Sequence, residues 1–326
     1  MSNKEEYKIY CESHPDVPLF SQYWWMDAAC KGMTWDVLLY KTASGEIIAS
    51  MPYLIKSKFG VKYILQPELT QTNGIHIDYP ESQSEQERLS LEKKVCDEFI
   101  SQIESLKTGY FMQCFHHSFT NWLPFYWKGF RQTTRYTYII EDISDIDAVF
   151  RSFAPAKQRQ IRKSLKSNFK VRTGASPEDF YNYHSYTLQQ KGERNINSKS
   201  IELSVISAAI DRGQGVILNV FDGDDNLHAS LFLVWDSNKA YFLLPAIDQN
   251  YRTSGASSLI VFEAIKYVKD KCKSFDFEGS MSENIEFSYR QFGTKQTPYF
   301  KIEKAYNLLF KMRDAFQIVS KAISGK

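Results

Sequence analysis

The sequence predicts a mixed α and β (α+β) protein built from two similar domains. Each half of the 326 residues contains short strands joined by turns, then one amphipathic helix, then one more strand. The order of elements recurs while loop lengths and residues differ, which favours duplication of one fold over coincidence within an ordinary α+β protein. We expect each domain to have a mostly antiparallel central sheet flanked by helices.

The first half opens this pattern with a hairpin. Apolar runs over residues 37–40 and 47–54 are separated by a turn at Ser44-Gly45-Glu46. Between residues 88 and 106 apolar side chains recur at helical spacing, and the aromatic segment 110–115 after it is typical of a buried strand.

The second half repeats this order. Three apolar runs predict a meander, a helix comes next, and a last strand ends at Gly279. The predicted elements are strands over residues 215–221, 229–235 and 239–246, a helix over residues 254–271 and a strand over residues 274–278.

A domain boundary is predicted near residues 130–145. The alternating strand 135–140 can open the second domain, and the short acidic stretch 142–147 resembles a linker. Apolar residues keep a helical period in the tail, which must therefore pack on something. The predicted organisation is a first domain over residues 1–134, a second over 135–302 carrying the donor site, and a C-terminal helix over 303–326. Either domain could be the one on which this helix packs, and packing back on the first domain is one of the two alternatives.

Composition excludes several classes of protein. Forty basic and 38 acidic residues leave a net charge of +2, so no overall field attracts nucleic acid or membrane. The five cysteines are widely spaced and predict reduced thiols, and the histidines show no metal-ligand spacing, so no metal site is expected. The N-terminus is polar and no run of about 18 apolar residues occurs, which favours a cytoplasmic protein without a transmembrane segment.

The stretch 251–258 predicts an anion site. It consists of small residues between an apolar strand and a helix, where free backbone N–H groups and the helix dipole favour a phosphate. A plain N-cap at Thr253 or Ser254 is the alternative. The candidate cofactor-binding residues are Arg252, which adds a charge, Gly255, which permits close approach, and Thr253, Ser254, Ala256 and Ser257.

A basic helix gives the second signal. Eight basic residues and no acid lie between residues 151 and 172. A stripe of Ile161, Leu165 and Phe169 is predicted to face the core, while the charged face repels itself unless a polyanion binds it. A solvated face with acids from elsewhere is the alternative. The candidate substrate-binding residues on the charged face are Arg159, Arg162, Lys163 and Lys166.

These blocks resemble a known family. Arg252-x-x-Gly255-x-Ser257 is similar to the Gln/Arg-x-x-Gly-x-Gly/Ala motif of the GNAT superfamily, from which Ser257 departs. Residues 255–265, 275–279 and 287–293 together resemble the Fem family of peptidoglycan-bridge aminoacyltransferases, whose members carry two GNAT-like domains. The resemblance covers mainly residues 251–300, and Tyr289-Arg290 occupies the position of the family's Phe-Lys pair at the transfer site.

The resemblance implies a tandem GNAT-like acyltransferase that moves an acyl or aminoacyl group onto an amine. The chemistry needs a charge for the oxyanion, a base for the ammonium and an acid for the leaving group. Arg290 is the candidate for the oxyanion, Asp276 and Glu278 leave the predicted strand on one face as candidate bases, and Tyr289 is the candidate acid.

The sequence leaves the identities of the acyl donor and the acceptor open. An acyl-CoA donor, such as acetyl-CoA, would place its pyrophosphate at Arg252 and Gly255. An aminoacyl-tRNA donor would use the basic face of residues 157–172. The acceptor is an amine on a small molecule or a cell-wall precursor. Transient contact of the protein with a membrane surface is compatible with the sequence. The alternative from another functional class is a non-catalytic module of the same fold that binds a polyanion.

Overall fold

A computed structural model of the chain describes residues 1–313. They divide into two compact units, one formed by residues 1–134 together with the chain from Tyr299 onward, the other by residues 135–298. Helices and strands occur in both. The helices are α1 (Asn3–Ser13), α2 (Tyr23–Ala29), α3 (Glu85–Ser105), α4 (Leu123–Trp127), α5 (Ile146–Ser152), α6 (Pro155–Lys166), α7 (Pro177–Gln189), α8 (Lys199–Asp211), α9 (Ala256–Val268) and α10 (Glu283–Arg290). The strands are β1 (Thr34–Lys41), β2 (Ile47–Lys58), β3 (Val61–Leu65), β4 (His76–Ile77), β5 (Tyr110–Cys114), β6 (Arg131–Ile140), β7 (Lys170–Thr173), β8 (Gly215–Phe221), β9 (Leu227–Trp235), β10 (Lys239–Ile247), β11 (Ser274–Asp276) and β12 (Lys295–Ala305).

The first unit is a mostly antiparallel sheet with helices packed on it. β1, β2 and β3 form an antiparallel meander, and β5 then returns parallel to β3. Helix α3 makes that crossover, because two parallel neighbours need a long connection. Its buried residues Val95, Phe99 and Ile103 recur at helical spacing, as the sequence predicted, and pack in one core with Phe111 of β5.

The second unit repeats this arrangement. β8, β9 and β10 form an antiparallel meander, helix α9 follows, and β11 returns parallel to β10. Leu259, Ile260, Ala264, Ile265 and Val268 of α9 are buried in the core of this unit. The predicted mixture of strands and helices, in the order meander, helix, strand, is thus confirmed in both units.

Several predicted boundaries were wrong. Helix α9 begins at Ala256 and ends at Val268, and β11 ends at Asp276. The acidic stretch 142–147 is not a plain linker, because Asp145 accepts hydrogen bonds from the N–H groups of Asp147 and Ala148 and caps α5. Such a carboxylate at the N-cap is favourable for helix formation.

The tail also differs from the prediction. Residues 303–305 belong to strand β12, which pairs with β5 from Lys301 to Ala305. Residues 308–313 are helical, and the rest of the predicted helix over 303–326 lies outside the described residues. Within residues 1–313, no helix has the length and the apolar character that crossing a membrane requires.

Candidate functional site

The candidate site lies where β10 and β11 separate. They pair only from Lys239 opposite Ser274 to Tyr241 opposite Asp276. The chain beyond β11 follows β6 instead, since the N–H of Phe277 donates to the carbonyl of Tyr138 at 3.0 Å. Residues 242–247 of β10 stay paired with β9 on their other edge. A wedge therefore opens between β10 and residues 277–279. Among residues 1–313, no strand pairs with β10 along that edge of the wedge.

A β-bulge lies on β10 at the start of this wedge. Phe242 is opposite Leu233 and Leu244 is opposite Phe232, so Leu243 is the extra residue. A bulge leaves its extra residue out of the ladder and turns nearby peptide groups, which is why bulges are common next to active sites. The backbone N–H groups of β10 next to Leu243 are therefore candidate hydrogen-bond donors toward the wedge.

Asp276 anchors a buried polar cluster at the inner end of the wedge. Its side chain is 1% exposed. Oδ1 accepts hydrogen bonds from the Thr137 hydroxyl and, at 2.8 Å, from the backbone N–H of Glu278. Oδ2 lies 3.5 Å from Nζ of Lys239, itself buried. A buried carboxylate that is paired and hydrogen-bonded in this way is held in one position.

Glu278 is the unsatisfied member of this cluster. It has φ +63°, a left-handed conformation that is costly for a residue with a side chain. Its Oε1 is buried and has no hydrogen-bond partner among the described residues. Burial, together with the nearby charge of Asp276, raises the pKa of Glu278 well above its ordinary value. A carboxylate with a raised pKa is a stronger proton acceptor than an ordinary glutamate.

Two tyrosines adjoin the carboxylates. Tyr289 of α10 packs its ring 5.0 Å from that of Phe277, and burial with the charges of Glu278 and Asp276 raises its pKa. Tyr241 is 2% exposed, and burial with the charges of Asp236, Asp276 and Glu278 raises its pKa also. Both phenols therefore stay protonated at physiological pH.

The structure brings together three of the four predicted catalytic residues. Asp276, Glu278 and Tyr289 share the cluster. The two carboxylates meet through a turn at Glu278, because β11 ends at Asp276, and not through strand alternation as predicted. Arg290 ends α10 with an exposed side chain, 4.9 Å over the Phe287 ring and 3.8 Å from Glu286. Its part in oxyanion stabilisation stays a prediction.

The predicted anion turn lies at the start of α9. Gly255 is its N-cap with φ +90°, and an added Cβ would lie 2.4 Å from the Ser164 hydroxyl. The Ser254 hydroxyl accepts from the N–H of Ala256 at 3.2 Å, but the N-cap is Gly255 and not Thr253 or Ser254. The N–H groups of Gly255 and Ser257 have no hydrogen-bond partner within residues 1–313. Free backbone N–H donors therefore remain at the positive end of a 13-residue helix.

The loop before this turn is held rigidly. The Asp248 carboxylate accepts from the N–H of Asn250 at 2.8 Å and from the Gln190 amide at 2.9 Å. The Tyr251 ring stacks on His228 at 3.8 Å with an angle of 8°. These contacts fix the backbone that leads into α9, while the side chains of Arg252 and Thr253 are exposed.

Helix α6 packs across the turn. Gln160 accepts a hydrogen bond from the Ser258 hydroxyl at 2.7 Å, and the Ser164 hydroxyl lies 3.3 Å from the Ser254 carbonyl. These contacts fix which side of α6 faces α9. At about 100° per residue, Lys163 lies about 60° around the helix from Gln160, at the border of the contact.

The basic face of α6 is exposed and lacks acids. Of the eight basic residues, Arg151 pairs with Asp145 and Arg172 with Asp225. The other six have no acidic partner within 4.0 Å among the described residues. Those six are Lys157, Arg159, Arg162, Lys163, Lys166 and Lys170. The predicted apolar stripe was only partly right, because Ile161 is buried but Leu165 is 55% exposed.

The equivalent opening in the first unit is closed by its own residues. Beyond the β3–β5 pairing, the Gln66 side chain accepts from the N–H of Cys114 at 2.9 Å. The backbone of Asn73 then pairs with Cys114 and His116. Helix α3 starts from a Ser84–Glu87 capping box and not from a glycine turn. Among residues 1–313, the second unit keeps an open wedge next to free helix N–H groups, and the first unit does not.

Sequence reasoning missed Lys239, Tyr241 and the bulge at Leu243. Lys239 and Tyr241 alternate at the start of β10, so they share a face of the strand. The signal that could have found them is the parallel register that places Tyr241 opposite Asp276. That register depends on where α9 ends and cannot be read from the spacing of residues.

Comparison with known proteins agrees with this description. Residues 149–287, less than half of the chain, match the family described as an acetyltransferase (GNAT) domain. The chain therefore carries a GNAT acyltransferase domain, as the sequence resemblance implied. None of the curated proteins searched matches the sequence.

Solved structures share the fold over nearly the whole chain. A crystal structure of FemX covers 91% of this chain and 95% of its own, with 12% identity and a TM-score of 0.68. A tandem GNAT protein from the clavulanic acid biosynthesis pathway covers 93% and 96%, with 8% identity and a TM-score of 0.54. L-PGS from Bacillus licheniformis covers 90% of each chain, with 8% identity and a TM-score of 0.52. The predicted tandem GNAT fold is confirmed by these likenesses.

Proposed function

We propose that the chain is an N-acyltransferase that takes its acyl group from an acyl-CoA, such as acetyl-CoA, and transfers it to an amine. The observation that carries this proposal is the wedge between β10 and residues 277–279. It has a desolvated carboxyl group, Glu278, at its inner end. The residues that follow β10 lead into the free N–H groups at the start of α9. A donor whose thioester is held along β10 would reach both the Glu278 carboxyl group and the free N–H groups at the start of α9.

The donor pyrophosphate belongs at the start of α9. The N–H groups of Gly255 and Ser257, the dipole of α9 and the exposed Arg252 supply the positive potential. Lys163 adds a second exposed charge from α6. Gly255 has to be glycine, because both its φ and the neighbouring Ser164 exclude a Cβ.

Proton transfers follow from the burial of the cluster. The attacking ammonium must lose a proton, and Glu278 is the base because its carboxyl group has an unsatisfied oxygen and a raised pKa. Asp276 positions it through the hydrogen bond to the Glu278 backbone. Attack on the thioester carbonyl gives an oxyanion, which the free N–H groups beside the Leu243 bulge stabilise. Tyr289 then donates its proton to the departing thiolate.

Calorimetric titration of the full chain with acetyl-CoA and free CoA tests the donor. We expect Arg252→Glu and Lys163→Glu each to weaken binding about tenfold or more, because each removes a charge-assisted contact with phosphate and adds repulsion. Ligand at a hundredfold excess over its Kd would stabilise the wild-type fold by about 2.7 kcal/mol.

Lys273→Glu is the matched control for this titration. Lys273 is exposed and lies beyond the other end of α9. The same charge change there should alter affinity by less than about twofold, since exposed charges beyond a Debye length are screened. No binding of any CoA by a well-folded sample would remove the acyl-CoA donor.

An aminoacyl-tRNA donor is the second candidate, favoured by the six basic residues of the α6 region that lack acidic partners. FemX and L-PGS share the fold, which makes this donor worth testing. tRNA titration across a range of salt would then show a steep loss of affinity with increasing salt, reduced by charge reversal at Arg159 or Lys166. In either case the acceptor is an amine on a small molecule or a cell-wall precursor. A protein that binds polyanion without turnover is the remaining candidate.

A further inference from the structure

The first unit contains two His-x-Asp triplets, His14-Pro15-Asp16 and His76-Ile77-Asp78, which the fold brings together. The first follows the end of α1 and the second lies on and after β4. We propose that His14, Asp16, His76 and Asp78 form a binding site for a divalent transition metal, with Zn²⁺ as the ion that fits best. This site is separate from the proposed donor site and does not depend on it.

The ligand atoms of Asp16, His76 and Asp78 lie at separations that a shared ion would produce, and His14 approaches Asp78 from another side-chain position. One ligand atom each from Asp16, His76 and Asp78 lie within 4.8 Å of one another. Nε2 of His76 is 3.0 Å from Oδ1 of Asp78 and 3.9 Å from Oδ2 of Asp16. Nε2 of His14 is 3.6 Å from Oδ2 of Asp78. Two ligands of tetrahedral zinc are about 3.4 Å apart, given bonds of about 2.0 to 2.2 Å.

Hydrogen bonds between the histidines and the aspartates link only part of this arrangement. Only the 3.0 Å contact between His76 and Asp78 is short enough for a hydrogen bond. The contacts of His76 with Asp16 and of His14 with Asp78, at 3.9 and 3.6 Å, are too long. Two carboxylates facing two imidazoles leave a charge of −2 when the histidines are neutral, and a divalent cation neutralises it.

Outer contacts orient the ligands as they do in metal sites. Nδ1 of His14 lies 2.9 Å from the Tyr10 carbonyl and 3.0 Å from the Ser13 hydroxyl, and in the tautomer that is protonated at Nδ1 the lone pair of Nε2 is free toward Asp78. The Tyr10 hydroxyl donates to Oδ2 of Asp78, and the Tyr10 ring stacks on His14 with centroids 4.1 Å apart. The backbone N–H of Asp78 donates to the Ile48 carbonyl. A ligating histidine commonly donates its other N–H to a carbonyl in this way.

Ligand type and exposure favour zinc. Imidazole and carboxylate together suit Zn²⁺, whereas Mg²⁺ and Ca²⁺ prefer oxygen ligands alone. The Asp16 side chain is 60% exposed and that of His76 is 13% exposed, so an ion can enter from solvent on the Asp16 side. Bound there, it would link the segment after α1 to the segment after β4.

Calorimetric titration of ZnCl₂ into the chelator-treated full chain tests the site. We expect one ion per chain, a rise in Tm of a few degrees, and at least a tenfold loss of affinity in Asp16→Asn. Because Asp16 is exposed, this variant leaves the packing intact. Glu12→Gln removes the same charge from an exposed position of α1 and should keep wild-type affinity.

The second measurement identifies the histidine ligands. His76→Ala should abolish saturable Zn²⁺ binding, and the wild-type chain with Co²⁺ should show the visible absorption of a tetrahedral nitrogen and oxygen site, which His76→Ala loses. The proposal is overturned if the wild type shows no saturable binding. It is overturned equally if Asp16→Asn and Glu12→Gln bind alike, since the ion would then lie elsewhere, for example at the adjacent pair His116 and His117.

Discussion

Glu278→Gln is expected to lower kcat for transfer from acetyl-CoA by about 10²- to 10⁴-fold, the range typical of a lost general base. The amide has nearly the same shape and cannot take the proton of the ammonium. Donor affinity should change by less than about twofold, because the free N–H groups of α9 and Arg252 are untouched. Steady-state kinetics with acetyl-CoA and an acceptor amine, together with calorimetry, separate these two effects.

The same variant has a defined pH signature. The pKa of Glu278 is raised in the folded chain, so the folded state binds more protons than the unfolded state above the unfolded pKa of about 4.3. Stability is therefore lost as pH rises from that value through the folded pKa, while activity is gained. Glu278→Gln should remove this pH dependence of stability and this pH dependence of activity. Its unfolding free energy at neutral pH should equal or exceed that of the wild type.

Glu193→Gln is the control for this prediction, since Glu193 is an exposed acid outside the cluster. Its kinetics should match the wild type. If Glu278→Gln kept more than a third of the wild-type rate, Glu278 would not be the base. If the wild type bound CoA and turned over no amine at all, the non-catalytic reading would replace the enzyme.

The glycine turn at the start of α9 was predictable from the sequence because its residues are contiguous. Small residues before an amphipathic run indicate a helix start, and Gly255 is found with φ +90° where that start requires it. Asp276 and Glu278 were likewise predictable as a pair, two residues apart beside an apolar strand. The predicted strand geometry that was to bring the two carboxylates together was wrong. The strand stops at Asp276, and the left-handed turn at Glu278 has no sequence signal, since glutamate is a poor residue for that conformation.

The contributions of β10 were not predictable for a different reason. Lys239 and Tyr241 reach Asp276 only through the parallel pairing of β10 with β11, two strands separated in sequence by a whole helix. The first unit shows the same limit. Its order of elements matches the second unit, yet Gln66 and Asn73 close the opening there. The repeat was visible in the sequence, whereas the loss of the wedge in one copy depends on three-dimensional contacts.

Gly279→Ala is expected to give the largest loss of stability, about 3 kcal/mol or more. Gly279 has φ +57°, which costs an alanine about 1 to 2 kcal/mol. Its added Cβ would also lie 2.1 Å from the Tyr136 carbonyl oxygen and 2.6 Å from Cα of Thr137. These are backbone atoms of β6 and cannot move as a flexible side chain can. The clash would force residues 276–279 away from β6, where Thr137 holds Asp276.

Gly213→Ala isolates the contribution of that clash. Gly213 has a similar φ of +67°, and an added Cβ there meets no atom within 4 Å. It should therefore cost only the conformational term, about 1 to 2 kcal/mol. The free energy of unfolding in urea, measured for both variants and the wild type, gives the comparison. Equal losses would show that residues 276–279 yield without cost, and a base held by such a turn could not be preorganised. A larger loss in Gly279→Ala than in Gly213→Ala would mean that contact with the backbone of β6 fixes the position of Glu278.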